Sequence, residues 1–258
     1  MDKITAIAKN TFKETIRDRI LYVILIFAIL MCLLAVILGS LSIGNNIKII
    51  IDFGLASINI FGVILAIFIG TSLVFKEIDR RTIYIILSKP IDRWEFLLGK
   101  FFGLSFTMTI IVALMSAVFL LMLFVYNIPL NQLYLAFVSV VLILMELYLI
   151  VAVSILFSSF STPLLSMVFA SCIWLIGHFN PVMLELANFS NNAMILNLVT
   201  LFHYIFPDLS VFNIKNNIDN FEYVINLPDL GLKFLYGIVY TSIILLITMF
   251  SFNRKEFN

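Results

Sequence analysis

The amino-acid sequence predicts an all-α membrane protein, and three observations support this class. Hydrophobic residues make up 62% of the 258 positions, and the mean hydropathy is +1.13. Only 12% of the residues are charged, whereas a soluble domain has about 25%. The apolar residues lie in runs of about 20, the length of a helix that crosses a hydrocarbon core about 30 Å thick. They lack the alternation of a membrane β-barrel.

Six of these runs are the predicted membrane spans of a single domain that covers residues 1–258. The spans are 20–41, 53–75, 101–126, 133–157, 164–182 and 232–252. Thirteen of the sixteen Lys and Arg residues precede the first span, lie between the second and third, or follow the sixth. Because basic residues favour the cytoplasmic side, we expect a multi-pass protein of the cell (cytoplasmic or inner) membrane, with both termini in the cytoplasm.

The segment before the first span, 3–19, is predicted to form an amphipathic helix. Ile4, Ala8, Phe12 and Ile16 recur every four residues, and charged side chains occupy the other positions. A helix of this kind lies among the lipid headgroups before the chain enters the bilayer. The alternative is an ordinary solvated helix.

The segment 76–100 holds ten charged side chains between two apolar spans, and we predict that it lies on the cytoplasmic side. Its first part continues helically from the second span until Pro90, which lacks a backbone N–H and ends the helix. Asp92 followed by Glu95 resembles a capping box and predicts the start of the helix that becomes the third span.

Three apolar side chains stand out within this charged segment, namely Ile83, Ile86 and Leu87. An apolar patch on a short cytoplasmic helix is typical of an element that fits a groove on a soluble partner. The alternative is that these side chains lie on the membrane surface.

The connection between the fifth and sixth spans is predicted to lie outside. Its stretch 193–206 is apolar but only fourteen residues long, which is too short to cross the bilayer. We therefore predict a re-entrant or interfacial helix at the outer surface.

Glu146 is an acidic residue near the predicted midplane of the fourth span, where it costs about 2.5–3.5 kcal/mol on insertion scales. It should face the bundle interior or a water-filled path. Ser116 and Ser171 lie at similar depth as candidate hydrogen-bond partners, and Asn59 is a further candidate for a pathway. Glu146 either contacts a proton, cation or polar substrate, or is protonated and holds helices together. Both interpretations stay open.

Motifs for bond-making chemistry are absent from the sequence. It has no G-x-x-x-x-G-K-[ST] phosphate loop, no H-E-x-x-H and no G-x-S-x-G, so we expect neither ATP hydrolysis nor another enzymatic activity in this chain. His178 and His203 lack a nearby metal-ligand set, so we predict no metal site and no bound cofactor. No basic cluster interleaved with aromatic residues indicates nucleic-acid binding.

Five segments, in order along the whole chain, carry a resemblance to a known family. They are AKNTFKETIRDRILYV (8–23), KEIDRRTIYIILSKPIDRWEFLLGK (76–100), LFSSFSTPLLSMVF (156–169), YIFPDLSVFNIKN (204–216) and the terminal FNRKEF. The pattern resembles the permease subunits of type 2 ABC exporters, particularly the branch that includes the permease of the nitrous-oxide-reductase maturation system. The segment 76–100 is the most specific of the five.

The resemblance implies a transport function and a role for several residues. Residues 3–19 would be an elbow helix on the inner leaflet and against the ATPase, 76–90 a coupling helix that docks onto the ATPase, and 193–206 the helix that closes the outer end of the pathway. Two copies would form the pore, and a separate ABC ATPase would bind ATP and Mg²⁺. The implied coupling residues are Glu77, Arg80, Arg81, Thr82, Ile83, Ile86, Leu87 and Pro90, and the elbow residues are Phe12, Ile16, Arg17 and Arg19.

Other classes of protein fit the sequence less well. An ion- or proton-coupled secondary transporter would use Glu146, but such proteins usually show internal repeats and broken helices. A membrane enzyme would need facing catalytic groups, and none is visible. A purely structural protein would leave the charged segment 76–100 without a partner.

Overall fold

The computed structural model describes residues 2–40, 46–79, 92–189, 193–214 and 226–254, and over these residues the protein is helical. The α-helices there are α1 (Asp2–Ile16), α2 (Arg19–Ser40), α3 (Asn46–Asp79), α4 (Arg93–Val125), α5 (Leu130–Ser158), α6 (Pro163–Phe189), α7 (Ala193–Ile205) and α8 (Leu227–Arg254). A short 3-10 helix, Leu209–Phe212, follows α7. The predicted all-α class is confirmed for these ranges.

Five helices, α3, α4, α5, α6 and α8, are long and apolar enough to cross a membrane. They coincide with the second to the sixth predicted spans, which confirms a multi-pass membrane protein. The first predicted span, 20–41, coincides with α2, which has 22 residues. Its apolar stretch Ile24–Gly39 is shorter than the other five, so a total of six spans stays a prediction.

Helix α5 lies at the centre of the bundle, where α3, α4, α6 and α8 all pack against it. The consecutive residues Leu149, Ile150, Val151 and Ala152 are all 0% exposed. Four residues in a row point to all sides of a helix, so only a helix that is surrounded buries them all. The core of the molecule therefore follows the axis of α5.

The approach of α3 to α5 depends on small residues. A Cβ atom added at Gly62 would lie 2.7 Å from Leu147 Cδ1, and one added at Gly70 would lie 2.7 Å from Ser154 Cβ. Close approach of backbones at small residues is the usual way in which membrane helices associate. The Ser158 hydroxyl further donates to the Thr71 carbonyl oxygen at 2.9 Å.

Helix α4 begins where the sequence predicts. Asp92 is the N-cap, and its backbone N–H donates to Glu95 Oε2 at 3.1 Å in a capping box. The helix has 33 residues and begins at Arg93, which is eight residues before the start of the predicted span at 101. At its other end Asn127 has a φ of 54°, a conformation that Asn tolerates well, and the Ile128 N–H donates to the Leu123 carbonyl at 3.2 Å.

Helix α6 continues past the predicted end of the fifth span at 182. It includes Pro181 and ends at Phe189. Pro181 removes one helical hydrogen bond without preventing the helix from continuing, and the residues that follow, VMLELA, include good helix formers.

Candidate functional site

Glu146 is the centre of a polar cluster that connects three helices. It lies on α5 and is only 1% exposed. Its Oε2 atom accepts a hydrogen bond from Asn59 Nδ2 on α3 at 2.8 Å. Its Oε1 atom accepts one from Trp174 Nε1 on α6, also at 2.8 Å. Both carboxylate oxygens therefore bind an N–H donor of a neighbouring helix, as a buried acidic group requires.

His178 extends this cluster by one turn of α6. Its Nε2 atom lies 3.7 Å from Glu146 Oε1, and its Nδ1 atom lies 3.3 Å from the Trp174 carbonyl oxygen. Because a carbonyl oxygen only accepts hydrogen bonds, the contact with Trp174 requires a proton on Nδ1.

The structure brings together two of the three predicted pathway residues, Asn59 and Glu146. The hydroxyl of the third, Ser116, donates to the Ala113 carbonyl of its own helix at 3.1 Å. The Ser171 hydroxyl likewise donates to the Met167 carbonyl at 2.8 Å. A short hydroxyl side chain readily bonds to its own helix in this way.

Sequence reasoning missed Trp174 and His178 as partners of Glu146. Their spacing of four residues places both on one face of α6, which is the signal that was available. The centre of the His178 ring lies 4.9 Å from that of the Trp174 ring, beside the carboxylate.

An apolar groove lies between α3 and α6, next to this cluster. Its volume is about 300 Å³. Trp174 belongs to both features, because its indole N–H binds Glu146 and the residue lines the groove. Glu146 therefore holds a groove-lining side chain in place. The residues lining the groove are Ile60, Val63, Ile64, Ile67, Phe68, Met167, Ser171, Trp174 and Leu175.

A second polar contact ties α7 to α6. Asn180 is 3% exposed, and its Oδ1 atom lies 3.0 Å from His203 Nδ1. Its Nδ2 atom donates to the carbonyl oxygens of His203 and Phe206, both at 3.4 Å. Helix α7 is the segment predicted to be re-entrant or interfacial, and its position relative to a membrane stays a prediction.

The predicted coupling residues lie at the edge of the described structure or beyond it. Glu77 belongs to α3. The others, Arg80, Arg81, Thr82, Ile83, Ile86, Leu87 and Pro90, lie outside the described residues.

The predicted elbow residues lie on or just after α1, which packs against α4. Phe12 and Ile16 are half-buried, and the Phe12 ring meets the edge of Phe106 with ring centres 4.9 Å apart. Arg17 and Arg19 are exposed.

The most buried face of α1 differs from the predicted apolar stripe. Thr11 and Thr15 are 0% exposed, whereas Phe12 and the rest of the stripe are half-buried. Threonine can occupy this face because its hydroxyl bonds to its own helix: Thr11 donates to the Ile7 carbonyl at 2.9 Å and Thr15 to the Thr11 carbonyl at 2.8 Å.

Over the described residues, no three His, Cys, Asp or Glu side chains cluster in a way that could hold a metal ion.

A family model described as "ABC-2 family transporter protein" matches residues 5–257. This chain belongs to the ABC-2 transporter family. The match runs in one piece through every helix from α1 to α8, and it identifies an ABC-2 permease, a membrane component of a transporter rather than an enzyme. No curated protein matches the chain significantly. The resemblance to an ABC permease is therefore confirmed, and the narrower likeness of this ABC-2 permease to the nitrous-oxide-reductase maturation branch stays a prediction.

Proposed function

We propose that this ABC-2 permease is the membrane subunit of an ATP-driven exporter, and that it forms the substrate pathway as a homodimer. In this proposal each copy has six spans with both termini in the cytoplasm, and the two α3–α6 grooves lie within the assembly. A separate ATPase would bind ATP and Mg²⁺. The family match supports the transport function.

The single observation that carries the pathway assignment is the double role of Trp174. The residue lines the α3–α6 groove, and its N–H is held by a carboxylate buried on α5. A side chain fixed in this way presents a defined surface to a substrate, which favours selectivity over a loosely packed wall. Glu146 is in this proposal a positioning residue for Trp174, and Asn59 keeps its carboxylate in place.

The ATPase is proposed to act through the segment 76–90 and through α1. ATP binding would close two ATPase subunits together, and their motion would reach the spans at these two elements and shift the pore between inward- and outward-open states. Helix α7, bound to α6 through Asn180 and His203, would close the outer end. Within the family, the resemblance points to the nitrous-oxide-reductase maturation branch.

Ion-coupled transport through Glu146 is the weaker candidate. It requires the carboxylate to face a water-filled path, but Glu146 is 1% exposed and both of its oxygens accept from N–H donors. These contacts favour the interpretation that Glu146 holds helices together.

The proposed coupling is tested with Leu87→Asp, which places a charge in the apolar patch of the segment 76–90. We expect the variant to insert and express normally but to lose a co-purifying ATPase in mild detergent, and to lose the stimulation of that ATPase by at least tenfold. The measurement is the stoichiometry of partners that purify with tagged protein from its native host.

Leu87→Met is the matched control, since it keeps an apolar side chain of similar volume and should retain the ATPase. If Leu87→Asp retains both the ATPase and its full stimulation, the coupling assignment is wrong. A wild-type protein that purifies alone under several gentle extractions would contradict the proposed function as a whole.

A further inference from the structure

A second groove lies between α1 and α4, away from the Glu146 cluster. Its volume is about 400 Å³. Gly103 opens it on the α4 side, because a Cβ atom there would lie 2.7 Å from the Ala8 carbonyl oxygen. The residues lining the groove are Ala8, Lys9, Phe12, Lys13, Gly103 and Phe106.

The charge of this groove is positive. Lys9 and Lys13 lie one helical turn apart on α1, and both are exposed. Among the residues that the structure describes, no acidic one lines the groove. Two acidic side chains of the same region contact other lysines: Glu14 Oε2 lies 3.7 Å from Lys100 Nζ, and Glu95 Oε2 lies 3.4 Å from Lys3 Nζ.

The walls of the groove are apolar, and exposed apolar surface adjoins them on α4. Phe12 packs edge-on against Phe106. Phe106 is 55% exposed, and Phe102, one turn nearer the start of α4, is 53% exposed. Because α1 ends at Ile16 and the apolar helix α2 begins at Arg19, the groove lies close to the level at which the chain enters the membrane.

We propose that this groove binds an anionic phospholipid of the membrane. The Lys9 and Lys13 ammonium groups would bind the phosphate, and one acyl chain would lie along the exposed phenylalanines of α4. Two cations above an apolar channel at the membrane boundary match a lipid that carries net negative charge on its headgroup. An acidic surface of a soluble partner would match the lysines but would leave the phenylalanine wall without an occupant.

The test measures lipid bound to the isolated permease, so that it does not depend on an ATPase. The protein is purified in mild detergent, titrated with phosphatidylglycerol or with phosphatidylcholine, and examined by native mass spectrometry. We expect one phosphatidylglycerol per chain to be retained in preference to phosphatidylcholine. The double variant Lys9→Gln with Lys13→Gln should bind phosphatidylglycerol about 30-fold more weakly, the effect of two lysines near an anionic surface.

Two further variants distinguish a site from general surface charge. Ala8→Phe keeps both lysines but fills the groove, and it should also weaken binding. Lys48→Gln with Lys233→Gln removes the same charge outside the groove and should leave binding unchanged.

Equal binding of both lipids, or an equal loss in the Lys48 and Lys233 variant, would overturn the proposal. Unchanged lipid binding in the Lys9 and Lys13 variant, together with loss of a co-purifying ATPase, would also overturn it and assign the lysines to that partner. Loss of lipid binding in the Lys9 and Lys13 variant, with the ATPase retained, supports the lipid site. It does so even if Leu87→Asp keeps its ATPase and thereby contradicts the coupling assignment.

Discussion

Glu146 has the most demanding environment of any acidic residue in the described ranges, because it is almost fully buried within the bundle. Its two hydrogen bonds come from different helices, so its carboxylate fixes the mutual rotation of α3, α5 and α6. Interhelical hydrogen bonds in membranes contribute about 0.6 to 2 kcal/mol each. The cluster therefore adds modest stability, but it determines closely how the three helices are rotated relative to one another.

We expect Glu146→Leu to destabilise the protein by about 1 to 3 kcal/mol, because Asn59 and Trp174 would each lose a buried acceptor. Glu146→Gln should cost much less, since its amide oxygen can accept from Trp174 and Asn59 can reorient its own amide. The measurement is thermal unfolding in detergent, followed by Trp174 fluorescence in a Trp94→Phe background.

Ser139→Ala is the matched control on the same helix, because the buried Ser139 hydroxyl donates to the Leu135 carbonyl of its own helix, at 2.9 Å. It should have little effect. Equal unfolding temperatures for Glu146→Leu and Ser139→Ala would show that the carboxylate does not hold the helices together.

The sequence was sufficient to identify Glu146 as an unusual residue, because the cost of a carboxylate in hydrocarbon follows from its position alone. It was not sufficient to identify Trp174 and His178 as its partners. These residues lie on α6, which is apolar on nearly all sides, so its rotation about its own axis cannot be read from periodicity. Contacts between helices depend on that rotation.

At the scale of elements, α1 is fastened to the beginning of α4 by close packing as well as by charge. A Cβ atom at Gly99 would lie 2.7 Å from Ile7 Cβ and 3.2 Å from the Ile4 carbonyl oxygen. The Lys3–Glu95 and Lys100–Glu14 pairs lie at the same interface. The Lys3–Glu95 pair is partly exposed and contributes little, whereas the Lys100 side chain is buried, at 1% exposed. The glycine contact is a constraint that does not depend on charge.

We therefore expect Gly99→Val to separate α1 from α4, at a cost of about 1 to 3 kcal/mol for overpacking. Separated α1 should be cleaved by trypsin at Lys9 and Lys13 several times faster than in the wild-type protein. Limited proteolysis in detergent, followed by mass spectrometry, measures this rate.

Gly231→Val is the control, because a Cβ atom at Gly231 would meet nothing within 4 Å. It should leave the cleavage rate of α1 unchanged. Equal protection of α1 in both variants would mean that the glycine contact does not hold the helix in place.

Element boundaries were predictable where a local signal determines them. The capping box of Asp92 and Glu95 located the start of α4, since its hydrogen bonds involve only neighbouring residues. The buried face of α1 was missed because it carries Thr11 and Thr15, whose hydroxyls bond to carbonyl oxygens of their own helix. A search for regularly spaced apolar residues does not find such a face.

At the scale of the whole molecule, apolar surface remains on the outside of the bundle, as expected for a protein that faces lipid or another copy of itself. Near the Glu146 cluster this surface includes Ile60, Ile64 and Leu175, which are 45–47% exposed. In the proposed homodimer these side chains would face the partner copy or the pathway.

We expect Ile64→Cys to form a disulfide between two copies in native membranes, in a background in which Cys32 and Cys172 are replaced by Ala. Leu246→Cys on α8 is the control, because this side chain is 64% exposed but lies away from the groove. The measurement is the fraction of dimer on a non-reducing gel after mild oxidation. Equal cross-linking at both positions would argue against a dimer interface at α3 and α6.

Helix α4 is much longer than the membrane is thick, so a small tilt of the helix moves both of its ends. Its 33 residues extend about 50 Å at 1.5 Å per residue, against about 30 Å of hydrocarbon. A tilt of about 10° around its middle would move each end by about 4 Å in opposite directions, by the same helix geometry. Helix α1 packs against one end of α4, and the turn at Asn127 joins the other end to α5. A displacement of α1 would therefore move the far end of α4 in the opposite direction, at the other face of the membrane.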